Sequence, residues 1–157
     1  MRKRLYLSYQ RATEWPVPPR ASVLRWARAA LLSGTMRVTV RFVDEAEGRA
    51  LNAAYRHKDY ATNVLSFPYD PVPDEALGMT IAHGDLVLCA PVLHREAVSQ
   101  GKTVDAHCAH LVVHGMLHLQ GFDHETDEEA EAMEALERRV LALLGFPNPY
   151  RDVKSSV

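Results

Sequence analysis

Apolar and polar residues alternate in several short runs of this chain and follow helical spacing in the longer runs between them. The alternating runs predict four strands, at residues 5–9, 36–43, 64–69 and 80–89. The helical runs predict five helices, at residues 20–32, 44–56, 91–100, 104–119 and 127–144. This pattern indicates an α+β domain with about four strands and about five helices.

Proline, glycine and capping residues mark the ends of these elements. Asp44 is placed to cap the second helix, Pro91 fits the first turn of the third, and Thr126-Asp127-Glu128-Glu129 fits a capping box for the last. The Pro- and Asp-rich segment 70–78 is predicted to be a loop that borders a binding groove. A length of 157 residues with 47% apolar residues fits a single domain over 1–157, with about 151–157 as a flexible tail.

Three histidines close to one glycine are the strongest chemical signal. His114 and His118 are four residues apart, so they point from the same face of the predicted helix. Gly121 can turn the chain sharply after the helix and bring His124 back toward them. Three imidazoles around one divalent ion leave a coordination position open, which is typical of a catalytic metal site.

Other side chains leave alternatives open at this site. His107 and His110 lie within about 60° of the face that carries the pair. They could be further ligands, hydrogen-bond partners of the ligands or contacts to RNA, or they could be partly buried histidines that hydrogen-bond nearby. A structural zinc site usually has four protein ligands. Cys108 is poorly placed as the fourth, about 120° around the helix from His114, whereas Cys89 stays open.

Gly115 argues against proteolysis. Zinc metalloproteases carry His-Glu-x-x-His, in which the glutamate is the general base, and this chain has glycine at the second position. Loss of a general base costs about 10²- to 10⁴-fold in rate. Peptide or amide hydrolysis therefore remains only an alternative.

The stretch from His114 to His124 matches every fixed position of the pattern His-Gly-x-Leu-His-Leu-x-Gly-Tyr/Phe-Asp-His. Residues 51–68 and the run Gly84-Asp85-Leu86-Val87-Leu88 are similar to two further segments of the same family. Over about residues 36–150 the chain resembles the YbeY endoribonucleases, also called ribosomal RNA maturation factors. It departs from them at Asn63, where Asp is common in the family.

The resemblance implies a mixed sheet, a zincin-like metal helix and a metal-dependent endoribonuclease that prefers single strands. It implies a role in maturation of the 3′ end of 16S ribosomal RNA and in ribosome quality control, with the small ribosomal subunit and its assembly proteins as partners. Carried over by position, His114, His118 and His124 would hold one Zn²⁺ or another divalent transition metal. Arg56 would be the functional arginine and Asp85 the acidic residue of the Gly-Asp strand.

The chemistry of these residues leaves some roles undecided. Arg56 can offer a bidentate fork to phosphate, but a surface ion pair with Asp59 is an alternative. Asp85 could orient a water or a histidine, or serve only the turn before its strand. Asp123 could hold a ligand imidazole or shape the turn after the helix. Ser66 is expected to be an ordinary strand hydroxyl, because no base lies near it in the sequence.

The distribution of charge bears on the binding partners of the protein, and the cysteine content bears on its cellular location. Residues 1–41 hold nine Lys and Arg and one acid, whereas residues 123–137 hold eight acids and no Lys or Arg. A basic face for RNA beside an acidic helix is one interpretation, and two solvated faces is the other. Two cysteines and no signal-like or membrane-spanning run predict a cytoplasmic protein. A ribosome-assembly factor with a purely structural metal remains the alternative to an enzyme.

Overall fold

The computed structural model describes residues 3–150 of the chain. Within them the elements are β1 (Arg4–Ala12), α1 (Arg20–Ala30), β2 (Thr35–Val43), α2 (Glu45–Arg56), β3 (Val64–Asp74), β4 (Met79–Cys89), α3 (Ala90–Ser99), α4 (Val104–Leu119) and α5 (Asp127–Leu143). The predicted α+β class, with four strands and five helices, is confirmed over this range. The tail expected at about 151–157 lies outside the described residues.

The four strands form one mixed sheet in the order β1-β2-β4-β3. β1 pairs with β2 and β2 with β4 in parallel, whereas β3 and β4 form an antiparallel hairpin. The strand β3 is therefore an edge strand beside β4, and its first residues lie next to the helix that carries the histidine pair.

The loop prediction for residues 70–78 is wrong in its first half. After a register shift between Tyr69 and Val72, β3 continues to Asp74, and the Asp74 carboxylate pairs with Arg37 at 2.5 Å. The prolines at positions 71 and 73 suggest a loop in the sequence, but an edge strand tolerates residues that cannot donate to a neighbouring strand. None of residues 70–78 lines the cleft described below.

The helices α1 and α4 pack on one face of the sheet and bury the main core there. Successive side chains of a strand point to opposite faces. Even-numbered residues of β2 and β4, such as Phe42 and Leu86, meet Trp26 of α1 and Met116 of α4 in this core. We call this the helix-packed face of the sheet.

The opposite face carries α2 over one end and is otherwise more open. A small apolar cluster lies under α2, and it contains Val43, Leu65, Val87 and Cys89 with Leu51 packed against it. Asp44 precedes α2 but makes no side-chain cap bond; its carboxylate instead accepts from the hydroxyl of Thr13. Within residues 3–150, no helix combines the length and apolar character needed to cross a membrane.

Candidate metal centre

The three predicted histidines come together at the end of α4. One ring nitrogen from each of His114, His118 and His124 lies within 4.8 Å of the others. The turn that returns His124 is built as expected: Gly121 has φ +99°, and the backbone N–H of Phe122 donates to the carbonyl of Leu117 at 3.1 Å. The helix thus supplies two imidazoles and the turn supplies the third.

The spacing of the nitrogens fits a divalent ion. Nε2 of His118 lies 3.1 Å from Nε2 of His114. Ligand nitrogens at about 2.0–2.1 Å from a tetrahedral ion are about 3.3 Å apart, close to this distance. Burial, followed by the charges of His114 and His124, lowers the pKa of His118, which favours the neutral imidazole that a metal requires.

A buried glutamate outside the site predicted from the sequence orients the ring of His114. Glu137 of α5 is fully buried, and its Oε1 accepts a hydrogen bond of 2.5 Å from Nδ1 of His114. This bond fixes the proton on Nδ1 and leaves Nε2 of His114 free to bind a metal. Burial raises the pKa of Glu137, but the hydrogen bonds from His114 and Tyr150 outweigh it, so the net pKa is lowered. The carboxylate is therefore charged at neutral pH.

The sequence does contain a signal for Glu137. It occupies a position in the apolar stripe of α5 that includes Met133, Val140 and Leu141, all of them buried. A charged residue in such a stripe needs a partner inside the protein. The acids predicted at the start of α5 are explained by capping, since Thr126 Oγ1 accepts from the N–H of Glu129 at 3.1 Å.

Of the residues left open above, none joins the metal cluster within the described part of the chain. Cys89 and Cys108 are buried free thiols, and burial raises the pKa of each. His107 is bonded to Glu96 at 2.9 Å, and that hydrogen bond is the main cause of the lowered pKa of Glu96. Burial lowers the pKa of His110 to about 4. Asp123 shapes the turn by accepting from the N–H of His124 at 2.8 Å.

Gly115 faces the sheet rather than the metal centre. A Cβ placed there would lie 2.7 Å from Cδ2 of Leu86 and 3.3 Å from Oγ of Ser66. The helix α4 approaches the sheet so closely that a side chain at this position would require the buried side chain of Leu86 to shift. The structure therefore gives a packing reason for the glycine that separates this sequence from the protease pattern.

A cleft of about 370 Å³ opens at the three histidines. It lies between α4 and a wall formed by the end of α2, the following loop and the start of β3. Its lining comprises Asn52, Arg56, Lys58, Tyr60, Thr62, Asn63, Val64, Leu65, Ser66, His110, Leu111, His114, His118, His124 and Tyr150. Two cations and no carboxylate are among these lining residues, so the cleft favours an anion.

The end of α2 positions the two cationic side chains of the cleft, Arg56 and Lys58. His57 ends the helix in the left-handed conformation, with φ 59°, and Nδ2 of Asn52 donates to the carbonyl of Tyr60 at 2.7 Å. The alternative ion pair between Arg56 and Asp59 is not formed, because Asp59 takes a bidentate pair with Arg49 at 2.8 and 2.9 Å. Within residues 3–150, Arg56 makes no ion pair, and its guanidinium is available to the cleft.

Asp85 does not join the cluster of three histidines. Its neighbours Gly84 and Leu86 face α4, since a Cβ at Gly84 would lie 2.7 Å from Leu119. Asp85 therefore points to the opposite face of the sheet, where its carboxylate accepts from the hydroxyl of Tyr69 at 2.8 Å. It is absent from the cleft lining. The structure therefore gives no contact by which Asp85 could orient a water or a histidine in the cleft, and its catalytic role stays a prediction.

Several cleft residues were not identified from the sequence. Lys58, Tyr60 and Tyr150 line the cleft, and Asn63 lies in it with its Nδ2 bonded to Glu96 at 3.0 Å. Among the described residues 3–41, no Lys or Arg lines the cleft. Arg37 and Arg41 pair with Asp74 and Glu47.

The comparisons with known proteins agree over most of the chain. The family model described as "Endoribonuclease YbeY" matches residues 20–145. A protein of that name from Pseudomonas putida is 59% identical over 150 residues, which cover 94% of each chain. Another from Pseudomonas syringae is 54% identical over 154 residues, 97% of this chain and 92% of the relative. The solution structure of a Thermotoga maritima protein matches with a TM-score of 0.52 at 20% identity, covering 93% of this chain and 99% of that one, and it supports the fold alone.

Proposed function

The chain belongs to the YbeY endoribonuclease family, and on that premise we propose that it cuts single-stranded ribosomal RNA in the cleft beside the three histidines. The proposal includes maturation of the 3′ end of 16S ribosomal RNA and ribosome quality control, with the small ribosomal subunit and its assembly proteins as partners. It also includes a cytoplasmic location, which the two free, buried cysteines support.

The observation that carries the proposal is the composition of the cleft. Arg56 and Lys58 stand on one wall, the three imidazoles stand on the other, and no carboxylate is among the lining residues. A phosphodiester is an anion that gains further charge on its non-bridging oxygens as it is attacked. A peptide bond carries no such charge, so this lining favours RNA over a peptide.

We assign His114, His118 and His124 as the ligands of one Zn²⁺, because their donor set and spacing fit it. Such an ion supplies Lewis-acid stabilisation of a phosphoryl oxygen and makes water more acidic. Glu137 holds the ring of His114 with Nε2 directed into the centre. Arg56 offers two parallel N–H donors to non-bridging oxygens of the phosphate, and Lys58 adds a second positive charge.

Two tyrosines in the cleft support a preference for single strands. Tyr60 and Tyr150 are 57% and 39% exposed although both line the cleft. A base that is free of a duplex can stack on an exposed aromatic ring, and stacking of this kind is worth about 1–3 kcal/mol per base. A paired base has both of its faces occupied by its neighbours in the helix.

The other two functions have less support. A metalloprotease needs a carboxylate base beside the centre, and Gly115 is packed against Leu86 where that residue would stand. A factor whose metal serves only folding needs no basic wall or open cleft beside the ligands.

The test uses purified protein stripped of metal by a chelator and then restored with Zn²⁺. We expect the restored protein to cut a single-stranded RNA that spans the 3′ end of 16S ribosomal RNA, and the same sequence in a duplex to be cut at least tenfold more slowly. The product ends then identify the nucleophile: a 5′-phosphate indicates water, and a 2′,3′-cyclic phosphate indicates the ribose hydroxyl. Full cleavage by the metal-free protein would refute the proposal.

A further inference from the structure

A row of hydrogen bonds runs from the first metal ligand into the segment that follows α5. Oε1 of Glu137 accepts from Nδ1 of His114, and Oε2 accepts from the hydroxyl of Tyr150. Nε2 of His110 lies 3.3 Å from the same hydroxyl. Building on the function proposed above, we propose that Tyr150 is a positioning residue for the metal centre, which holds Glu137 in the orientation that presents His114 to the ion.

Counting donors and acceptors fixes the direction of these bonds. An ionised carboxylate can only accept, so the single hydroxyl proton of Tyr150 goes to Glu137. The oxygen of Tyr150 can then only accept from His110, which places the His110 proton on Nε2. Nδ1 of His110, which is buried without a hydrogen-bond partner among the described residues, is accordingly the unprotonated nitrogen. Three side chains thus depend on one hydroxyl.

Glu137 depends on this bond because it is fully buried. Each of its two oxygens has one close donor, His114 for Oε1 and Tyr150 for Oε2. Without the hydroxyl, Oε2 would be a buried charged atom with no donor. This costs free energy, and rotation of the carboxylate away from His114 toward another donor would relieve the cost. The His114 ring would then lose the bond that fixes its proton and its orientation.

Packing outside the cleft places Tyr150 there. Gly145 ends α5 with φ +89°, and Phe146 then packs edge-on against Trp26 in the core, with ring centroids 5.8 Å apart. The backbone N–H of Tyr150 donates to Oδ1 of Asn148 at 2.9 Å. Its ring stands edge-on to His110, with the centroids 5.3 Å apart. Packing of residues 145–150 against α1 therefore positions Tyr150, whose hydrogen bond to Glu137 leads to His114 of the metal centre.

The test is the Zn²⁺ affinity of variants, measured by competition with a chromophoric chelator and without RNA. Tyr150→Phe removes only the hydroxyl and is expected to weaken Zn²⁺ binding by about tenfold, the lower end of the range for partners of metal ligands. Tyr55→Phe is the matched control, because Tyr55 is exposed, lies outside the cleft lining and has a hydroxyl that makes no hydrogen bond within the described residues. The control is expected to bind Zn²⁺ as the wild type does.

A double-mutant cycle separates positioning from a general loss of structure. Glu137→Gln removes the negative charge to which the Tyr150 hydroxyl donates. Adding Tyr150→Phe to Glu137→Gln is therefore expected to lower the Zn²⁺ affinity by less than a further twofold. Circular dichroism and urea unfolding identify any variant that does not fold. The inference is refuted if folded Tyr150→Phe binds Zn²⁺ within twofold of wild type, or if the two losses multiply. His114→Ala distinguishes failure of this inference from failure of the proposed function: if His114→Ala retains Zn²⁺, the proposed metal centre itself is wrong.

Discussion

The two faces of the sheet differ in how closely they are packed and in what their polar residues do. On the helix-packed face, α4 lies against Gly84, Leu86 and Ser66 and carries two histidines of the candidate metal centre to the cleft. On the opposite face, α2 covers one end, and Asp85 and His83 lie in a partly open region beside Tyr69. Residues that are adjacent in the Gly-Asp strand therefore belong to different environments, and similarity along the chain does not place them in one site.

The largest difference between the faces is expected from removing one histidine on each. His124→Ala deletes a ligand and should weaken Zn²⁺ binding by more than about 100-fold, beyond the usual effect of outer partners, with loss of RNA cleavage. His83→Ala is the control on the opposite face and should leave both properties within about twofold of wild type. Metal analysis and a cleavage assay measure the two results. Equal losses in both variants would remove the distinction between the faces.

The next comparison is between two arginines, Arg56 in the cleft and Arg37 on the opposite face of the sheet. Arg56→Ala should lower kcat/KM for RNA by about 10²- to 10³-fold while Zn²⁺ content stays at one per chain, because a donor to the developing charge is lost. Arg56→Lys should recover only part of the rate, since an ammonium group lacks the planar fork. Arg37→Ala, on the opposite face, should change kcat/KM by less than about threefold. A normal rate for Arg56→Ala would exclude it from the reaction.

Stability in acid should reveal the ionisable groups buried at the cleft. The pKa of His110 is about 4 in the folded protein, against 6.5 for an ordinary histidine, because burial disfavours its charged form. Only the unfolded chain takes up this proton as the pH falls from 6.5 toward 4, so the metal-free protein should lose about 2 kcal/mol by pH 5. Urea unfolding at pH 7 and pH 5 measures the loss, to which His118 contributes in the same direction.

His110→Phe should remove the His110 part of this pH dependence. Glu137, whose pKa is lowered, loses its contribution to stability only below its ordinary value of 4.5, so the interval from pH 6.5 to 5 isolates the histidines. An unchanged slope in His110→Phe would show that His110 is accessible to protons in the folded protein.

Two glycines compare the helix packing of the faces directly. Gly115→Ala should destabilise the protein by about 1–3 kcal/mol, because its Cβ would lie 2.7 Å from the buried Leu86. Gly48→Ala in α2 would place a Cβ 3.3 Å from Sγ of Cys89, a milder contact that the helix preference for Ala offsets, so its effect should be under about 1 kcal/mol. The free energy of unfolding in urea gives both values. Similar losses would mean that the two helices pack equally closely.

The smallest effect is expected from Asp85→Asn. The amide oxygen of Asn can still accept from the Tyr69 hydroxyl, and the residue faces away from the cleft. Cleavage by the metal-loaded protein should stay within about threefold of wild type. A loss of more than tenfold would show that Asp85 contributes to cleavage, and its effect would then have to reach the cleft from the opposite face of the sheet.

The periodic parts of the sequence predicted the fold well. The helix α4 was predicted with its observed bounds, and Gly121 was assigned the left-handed turn that it adopts. The strand β3 was predicted too short, because its prolines suggested a loop and only pairing at a sheet edge accommodates them. Local spacing determines helices and turns, but it does not show which strand will lie at an edge.

The sequence alone determined the cluster of three histidines, because His114 and His118 share a helix face and a glycine turn returns His124 within six residues. The family resemblance also predicted a role for Arg56, which lines the cleft. Only the tertiary structure decided that Glu137 and Tyr150 support His114 and that Asp85 faces away. These contacts join residues 13 to 23 positions apart or depend on which face of the sheet a helix covers. Distant contacts of this kind are set by packing of the whole chain, which no short segment encodes.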